Sequence, residues 1–195
     1  MNKKGFTLIE VLGVIVILGI LTMIGIYAVS TNIEHSRKSA FVDNGIAYVE
    51  KMMAMRAQDE LPIEVTDYKG LLIPIDKLKG TDKIDLTSPY GDYDLSSSYV
   101  IMVKQNNQYK YYLTMLTTQG DAIINVEYNE LRTDWVMNIH SDYSIGEENK
   151  KYDDKLKEIV NIKNAGSTTK IMAGTYEYTI DSRKDNYIVL AKSNG

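Results

Sequence analysis

Few side chains in this chain of 195 residues are placed to do chemistry, and the one in the least ordinary setting is a carboxylate. Glu10 stands at the head of an uncharged run from Val11 to Val29, 19 positions of mainly Leu, Ile, Val and Gly. An ionisable group in a membrane helix costs about 2.5–3.5 kcal/mol at mid-bilayer and less near its edge, so it persists there more often for a function than by accident. The other candidates are weaker. Asp92-x-Asp94-x-Ser96 has the spacing that opens a calcium loop, but Ser97 stands where an EF-hand needs glycine and Val103 where it needs a bidentate glutamate. His35 and His140 have no ligand spacing to anything and read as surface or hydrogen-bonded histidines. With no cysteine, thiol catalysis, disulfides and cysteine-ligated metals are excluded. There is no Gly-x-Ser-x-Gly elbow, no His-Glu-x-x-His and no phosphate-cradling glycine loop. The chain therefore reads as a non-enzyme without cofactor or resident metal.

The element that positions Glu10 must be a helix. At about 1.5 Å per residue, 19 residues span roughly 28 Å, close to the hydrocarbon thickness of a bilayer. Lys3 and Lys4 precede the run and orient the N-terminus towards the cytoplasm, leaving everything after Val29 outside. A secretory signal peptide, with Ala28-Val29-Ser30 as its cleavage site, would have a shorter apolar core. A plain signal anchor accommodates the length and leaves Glu10 unexplained.

Lys3-Lys4-Gly5-Phe6-Thr7-Leu8-Ile9-Glu10, followed at once by the apolar run, resembles the class III signal of type IV pilins and pseudopilins. The resemblance covers Lys3 to Ser30 and fades by about Glu60. It implies cleavage between Gly5 and Phe6 by a prepilin peptidase, N-methylation of Phe6, and a role for Glu10 in assembly. It also implies a long helix on a globular head, the lollipop shape of the family. Before assembly the subunit would be a single-pass cytoplasmic membrane protein with an external C-terminal head. An assembly ATPase and platform machinery would then draw it into an extracellular homo-oligomeric helical filament. Where many pilins have a helix-kinking proline, this chain has Tyr27, with Gly25 two residues earlier; the disulfide that closes many pilin heads is impossible here. A minor pseudopilin of a type II secretion or competence DNA-uptake system remains open, as does a membrane-anchored extracytoplasmic enzyme or binding module.

Four segments follow: a leader (1–5), a transmembrane or assembly half-helix (6–30), an amphipathic half-helix (31–60) and a head (61–195). In the second half-helix Phe41, Val42, Gly45, Ile46, Tyr48, Val49, Met52 and Met53 fall on one face, with Asp43, Asn44, Glu50 and Lys51 opposite. A sheet of the same chain should cover that stripe; a Met-rich groove for partners is the alternative. Leu61-Pro62 should end the helix. Residues 63–98 read as irregular, with a short helix near Pro74–Leu78. Strands are predicted over Tyr99–Lys104, Tyr109–Leu116 and Ala122–Tyr128, with a fourth over Trp135–Ile139. Residues 148–163 should form an extra helix with Tyr152, Leu156, Ile159 and Val160 on one face, an Asp153–Lys157 pair and a stop at Gly166. Gly174–Ile180 and Tyr187–Ala191 should make the last hairpin. The expected fold is α+β: the long helix packed on an antiparallel sheet.

Charge argues against direct nucleic-acid binding. The whole chain carries −4, and without Lys3, Lys4 and Glu10 it keeps 20 basic and 25 acidic groups. The 15 tyrosines at period two, such as Tyr109/Tyr111 and Tyr176/Tyr178, are first a strand preference. An aromatic adhesive surface is the sharper alternative.

Overall fold

A computed structural model describes residues 7–78, 87–140 and 154–193. Two compact units, Met1–Arg37 and Lys38–Gly195, partition the chain. A single helix, α1, runs unbroken from Leu8 to Ala57. It passes through Gly25 and Tyr27 without interruption. The long helix and the antiparallel sheet expected from the sequence are both present.

Among the described residues ten strands follow: β1 (Lys69–Pro74), β2 (Thr87–Ser88), β3 (Gly91–Asp92), β4 (Tyr99–Gln105), β5 (Gln108–Leu116), β6 (Asp121–Glu127), β7 (Met137–Asn138), β8 (Ile171–Ala173), β9 (Tyr176–Arg183) and β10 (Ile188–Lys192). Eight form one sheet in the order β7-β6-β5-β4-β1-β10-β9-β8, and β2 pairs with β3. The neighbours in the large sheet are antiparallel. Two asparagines at positive φ, Asn106 (51°) and Asn107 (63°), form the two-residue turn between β4 and β5. Asparagine tolerates the left-handed conformation that such hairpin turns demand.

The sheet is buried on both faces. Leu71, Ile73, Val100, Met102, Leu113, Met115 and Ile123 pack with Phe41, Val42, Tyr48, Val49 and Met52 of α1. The amphipathic stripe is thus covered by the chain's own sheet, and the open Met-rich groove is not formed. Gly45 permits the close approach: a Cβ there would come within 2.5 Å of Leu113 Cδ2. On the reverse face Leu72, Tyr99, Ile101, Val103, Tyr178, Ile188 and Leu190 pack with Val160 and Ile162.

Several sequence expectations need correction. β1, read as irregular chain, lies near the middle of the sheet between β4 and β10. It is buried from Gly70 to Ile73, so it shows a continuous apolar run and no alternation. Beside it, the short helix expected near Pro74–Leu78 is a 3₁₀ turn at Ile75–Lys77. The fourth strand shrinks to Met137–Asn138, and Trp135 ends a 3₁₀ turn instead. The helix expected over 148–163 does not run that length. Residues 148–153, with Tyr152 and Asp153, lie outside the described residues; helix is present at 154–156, and turns and irregular chain follow. The helical spacing there coincided with a different use of the same apolar residues. Leu156 and Ile159 pack with Leu116 and Ile124, whereas Val160 joins the reverse-face core. Among the described residues the segment's ion pairs are Lys157–Asp154, at 2.9 Å, and Lys155–Glu158, at 3.3 Å.

α1 stops before Leu61-Pro62. Glu60 N donates to Met55 O (2.8 Å) and Asp59 N to Arg56 O (3.2 Å), with Asp59 at φ 58°. These are the two bonds of a Schellman cap with aspartate in the left-handed position that usually takes glycine. Asp59 also places a negative charge at the negative end of the helix dipole. Asp59→Gly is therefore expected to stabilise the protein by about 1 kcal/mol, read as a higher chemical-denaturation midpoint. An unchanged or lower midpoint would count against the cap.

The buried tyrosines set a limit at high pH. Burial pushes Tyr99 up to about 12, against opposing hydrogen bonds with Thr114 and Val160. Burial, then the charge of Glu127, likewise raises Tyr112 to about 12. These pKa values are raised in the folded state, so the stability they contribute is complete below pH 10 and is lost as pH rises towards 12. Tyr99 alone accounts for about 3 kcal/mol. Denaturant midpoints taken from pH 9 to 12 should fall steeply above pH 10, and a flat profile would contradict the burial of these hydroxyls.

Candidate functional site

The candidate site is the N-terminal unit and the carboxylate at its helix start. Lys3, Lys4, Gly5 and Phe6 lie outside the described residues, so the first placed site residue is Glu10. Thr7 precedes the first helical residue, Leu8, and Glu10 lies three residues after Thr7. Glu10 Oε2 accepts from Thr7 N at 2.7 Å and from Thr7 Oγ1 at 2.8 Å. Glu10 N approaches Thr7 Oγ1 at 3.4 Å. This is the reciprocal arrangement of a capping box, in which the first-turn carboxylate satisfies the cap's backbone N–H. Thr7-x-x-Glu10 before an apolar run is the signal for it in the sequence. Glu10 thus has a local role besides any role in assembly: it fixes where the helix begins.

The rest of the unit is apolar and open. Leu8, Ile15, Leu18, Ile24 and Val29 are each more than half exposed. An 18-residue window of α1 has a mean hydropathy of 2.6, with none of it buried inside the chain. By length and composition this stretch can cross a membrane. Three of its hydroxyls bond back onto the helix: Thr22 Oγ1 donates to Leu18 O (2.7 Å), Ser30 Oγ to Ile26 O (2.9 Å) and Thr31 Oγ1 to Tyr27 O (3.1 Å). Each of these three is satisfied within the helix, as an apolar environment demands. Adding a Cβ at Gly13, Gly19 or Gly25 would meet nothing within 4 Å, so no contact within the chain requires these glycines.

The remaining sequence candidates stand in several settings. Asp94 Oδ1 accepts from Ser96 N (2.9 Å) in a local turn. Partial burial pushes the Asp94 carboxyl up, but bonds from Ser96 and Ser97 and the charge of Lys163 outweigh this and hold it below its ordinary value. Asp92 is exposed in β3, where its backbone pairs with Thr87. Among the described residues no three His, Asp or Glu side chains cluster as a metal site. His35 is exposed on α1, and His140 lies over Gly120. Tyr111, Tyr112 and Tyr178 are buried, which removes them from any aromatic surface. Tyr109 stacks beneath Arg56, whose guanidinium carbon is 4.1 Å from the ring centroid.

Residues 1–26 match the family described as the prokaryotic N-terminal methylation motif, the signal type of type IV pilins and pseudopilins. No curated protein and no solved structure matches the chain.

Proposed function

We propose that the chain is a prepilin-like structural subunit of a pilus or pseudopilus filament, cut between Gly5 and Phe6, methylated at Phe6 and polymerised through its N-terminal helix. The observation that supports this best is the methylation motif on residues 1–26, which runs into a helix whose first half carries large apolar side chains without cover inside the chain. In the bilayer, lipid covers those side chains and the remainder of the chain lies outside. On leaving lipid they must meet other apolar surface, and identical helices of a polymer core supply it. A prepilin peptidase, an assembly ATPase and its membrane platform are the machinery this route requires. Glu10 gives the incoming helix its axial register, because a carboxylate among apolar helices needs a positive partner. The free amine that cleavage creates at Phe6 of a neighbouring subunit is that partner.

Intact-mass analysis of protein purified from membranes tests the processing. The expected mature chain starts at Phe6 and carries a methyl group. A mature N-terminus at Ser30 or Thr31 would establish an ordinary signal peptide and overturn the filament reading.

A further inference from the structure

On the sheet face away from α1, a cavity of about 650 Å³ opens between β5, β6, the β8–β9 turn and the segment around Glu158. It falls within the 300–1,000 Å³ typical of small-ligand sites, and its construction is specific. The β5–β6 register shifts between Leu113 and Met115, and at this bulge Asn125 of β6 adopts a positive φ of 49°. Bulges of this kind re-aim a side chain and concentrate beside functional sites. Here Asn125 Nδ2 donates to Glu158 Oε2 (2.6 Å) and to Gly174 O (2.9 Å), while Asn125 Oδ1 accepts from Gly174 N (2.8 Å). Gly174, at φ 63°, brings its turn against Tyr112; a Cβ there would come within 2.7 Å of Tyr112 Oη. The wall is thus tied across three parts of the chain before any ligand arrives.

The lining selects a class of ligand. Lys110 pairs with Glu127 at 2.9 Å and Lys155 with Glu158 at 3.3 Å, and Glu130 adds a third carboxylate. With Lys192 at the rim, three ammonium groups stand against three carboxylates, so the cleft carries no net charge to favour an anion. The mostly paired charges and the amides of Gln105, Asn106 and Asn125 do not favour an apolar molecule. Carboxylates, ammonium groups and amides offer donors and acceptors side by side, which suits hydroxyls. Tyr176 stands at the rim, 38% exposed, with Lys192 Nζ 4.3 Å from its ring centroid. A rim aromatic gives a flat apolar platform for the C–H face of a sugar ring. In the floor Gln105 is only 6% exposed; its Oε1 accepts from Tyr112 Oη at 3.3 Å and its Nε2 has no partner at hydrogen-bond distance. Buried unused polar groups carry a desolvation cost that a hydroxyl-bearing ligand can offset.

We propose that this cleft binds a neutral saccharide, with Tyr176 as the stacking platform and Asn125, Glu158 and Lys155 as the hydrogen-bonding wall. The proposal goes beyond the filament reading and does not depend on it, since the cleft is built from residues of the head alone. The test uses the full chain in phospholipid nanodiscs on an array of neutral hexose and N-acetylhexosamine oligosaccharides, with sialylated and sulfated glycans as the anionic arm. Retained neutral glycans are then measured in solution by saturation-transfer NMR. Tyr176→Ala, at an exposed site, and Asn125→Gly, which keeps the backbone conformation, should each weaken binding at least tenfold with unchanged circular dichroism. Tyr109→Ala on the opposite sheet face should bind as the wild type does. Retention of no neutral glycan above an empty nanodisc, retention of anionic glycans alone, or wild-type binding by both Tyr176→Ala and Asn125→Gly would each overturn the proposal.

Discussion

Glu10→Ala is expected to leave the chain embedded in the membrane and absent from sheared surface filaments when it is the only copy. Removing the charge makes the apolar stretch easier to insert, so membrane yield should not fall. Assembly is where the loss is felt. On the proposed route, once the helix lies among other apolar helices, the Phe6 amine of a neighbouring subunit is left without its counter-charge. Breaking a buried pair in this way costs about 3–5 kcal/mol, more than a hundredfold in each addition step. The geometry at the helix start adds a control. Glu10 also caps the helix through Thr7, at 2.7 and 2.8 Å, and loss of a capping interaction costs about 0.5–2 kcal/mol. Glutamine can still accept from the Thr7 backbone, so Glu10→Gln retains the cap and loses only the charge. If the charge pair governs assembly, both variants vanish from immunoblots of sheared filaments. Filaments that persist with glutamine and disappear with alanine would make Glu10 a helix cap and nothing more. Filaments at the wild-type level with both would remove Glu10 from the mechanism and leave the proposed function resting on the cleavage motif.

Phe41→Ala should produce the largest loss of stability from a single core truncation. Phe41 is fully buried. Its ring meets Tyr90 edge-on at 5.7 Å and stacks with Tyr93 at 5.9 Å, and Tyr93 in turn meets Tyr48 at 6.1 Å. These four rings join α1 to the loop that carries β3, so truncation opens a cavity that two separate elements would have to close. Phe→Ala changes of this kind cost about 3–5 kcal/mol, which lowers the melting temperature of a domain this size by about 10 °C. Near-ultraviolet circular dichroism of the full chain in nanodiscs reads this, because packed aromatic rings, this cluster among them, supply the signal. A melting temperature within about 2 °C of wild type would mean that this face of α1 is not held on the sheet.

What could be read from the chain before its structure was whatever local order encodes. The apolar run and its single carboxylate follow from composition, because nineteen uncharged residues admit few environments. The stripe of Phe41, Val42, Gly45, Ile46, Tyr48, Val49, Met52 and Met53 follows from the 3.6-residue period; Ile46 and Met53 are half-buried and the other six are buried. The β4–β5 hairpin is local too, since two asparagines suffice to turn it. Tertiary structure decided the rest. β1 pairs with β4 and β10, at least 25 and 116 residues away. Such pairing leaves no periodic trace in a strand buried on both faces. At 154–163 the apolar spacing matched a helix, yet Leu156 and Val160 serve separate cores, and burial outweighed the weak local preference. The cleft is the clearest case. Asn125, Glu158 and Gly174 come from distant parts of the chain, and nothing in their order sets them together. A one-residue bulge in β6 does, because it turns Asn125 out of the strand's alternation and onto the β8–β9 turn.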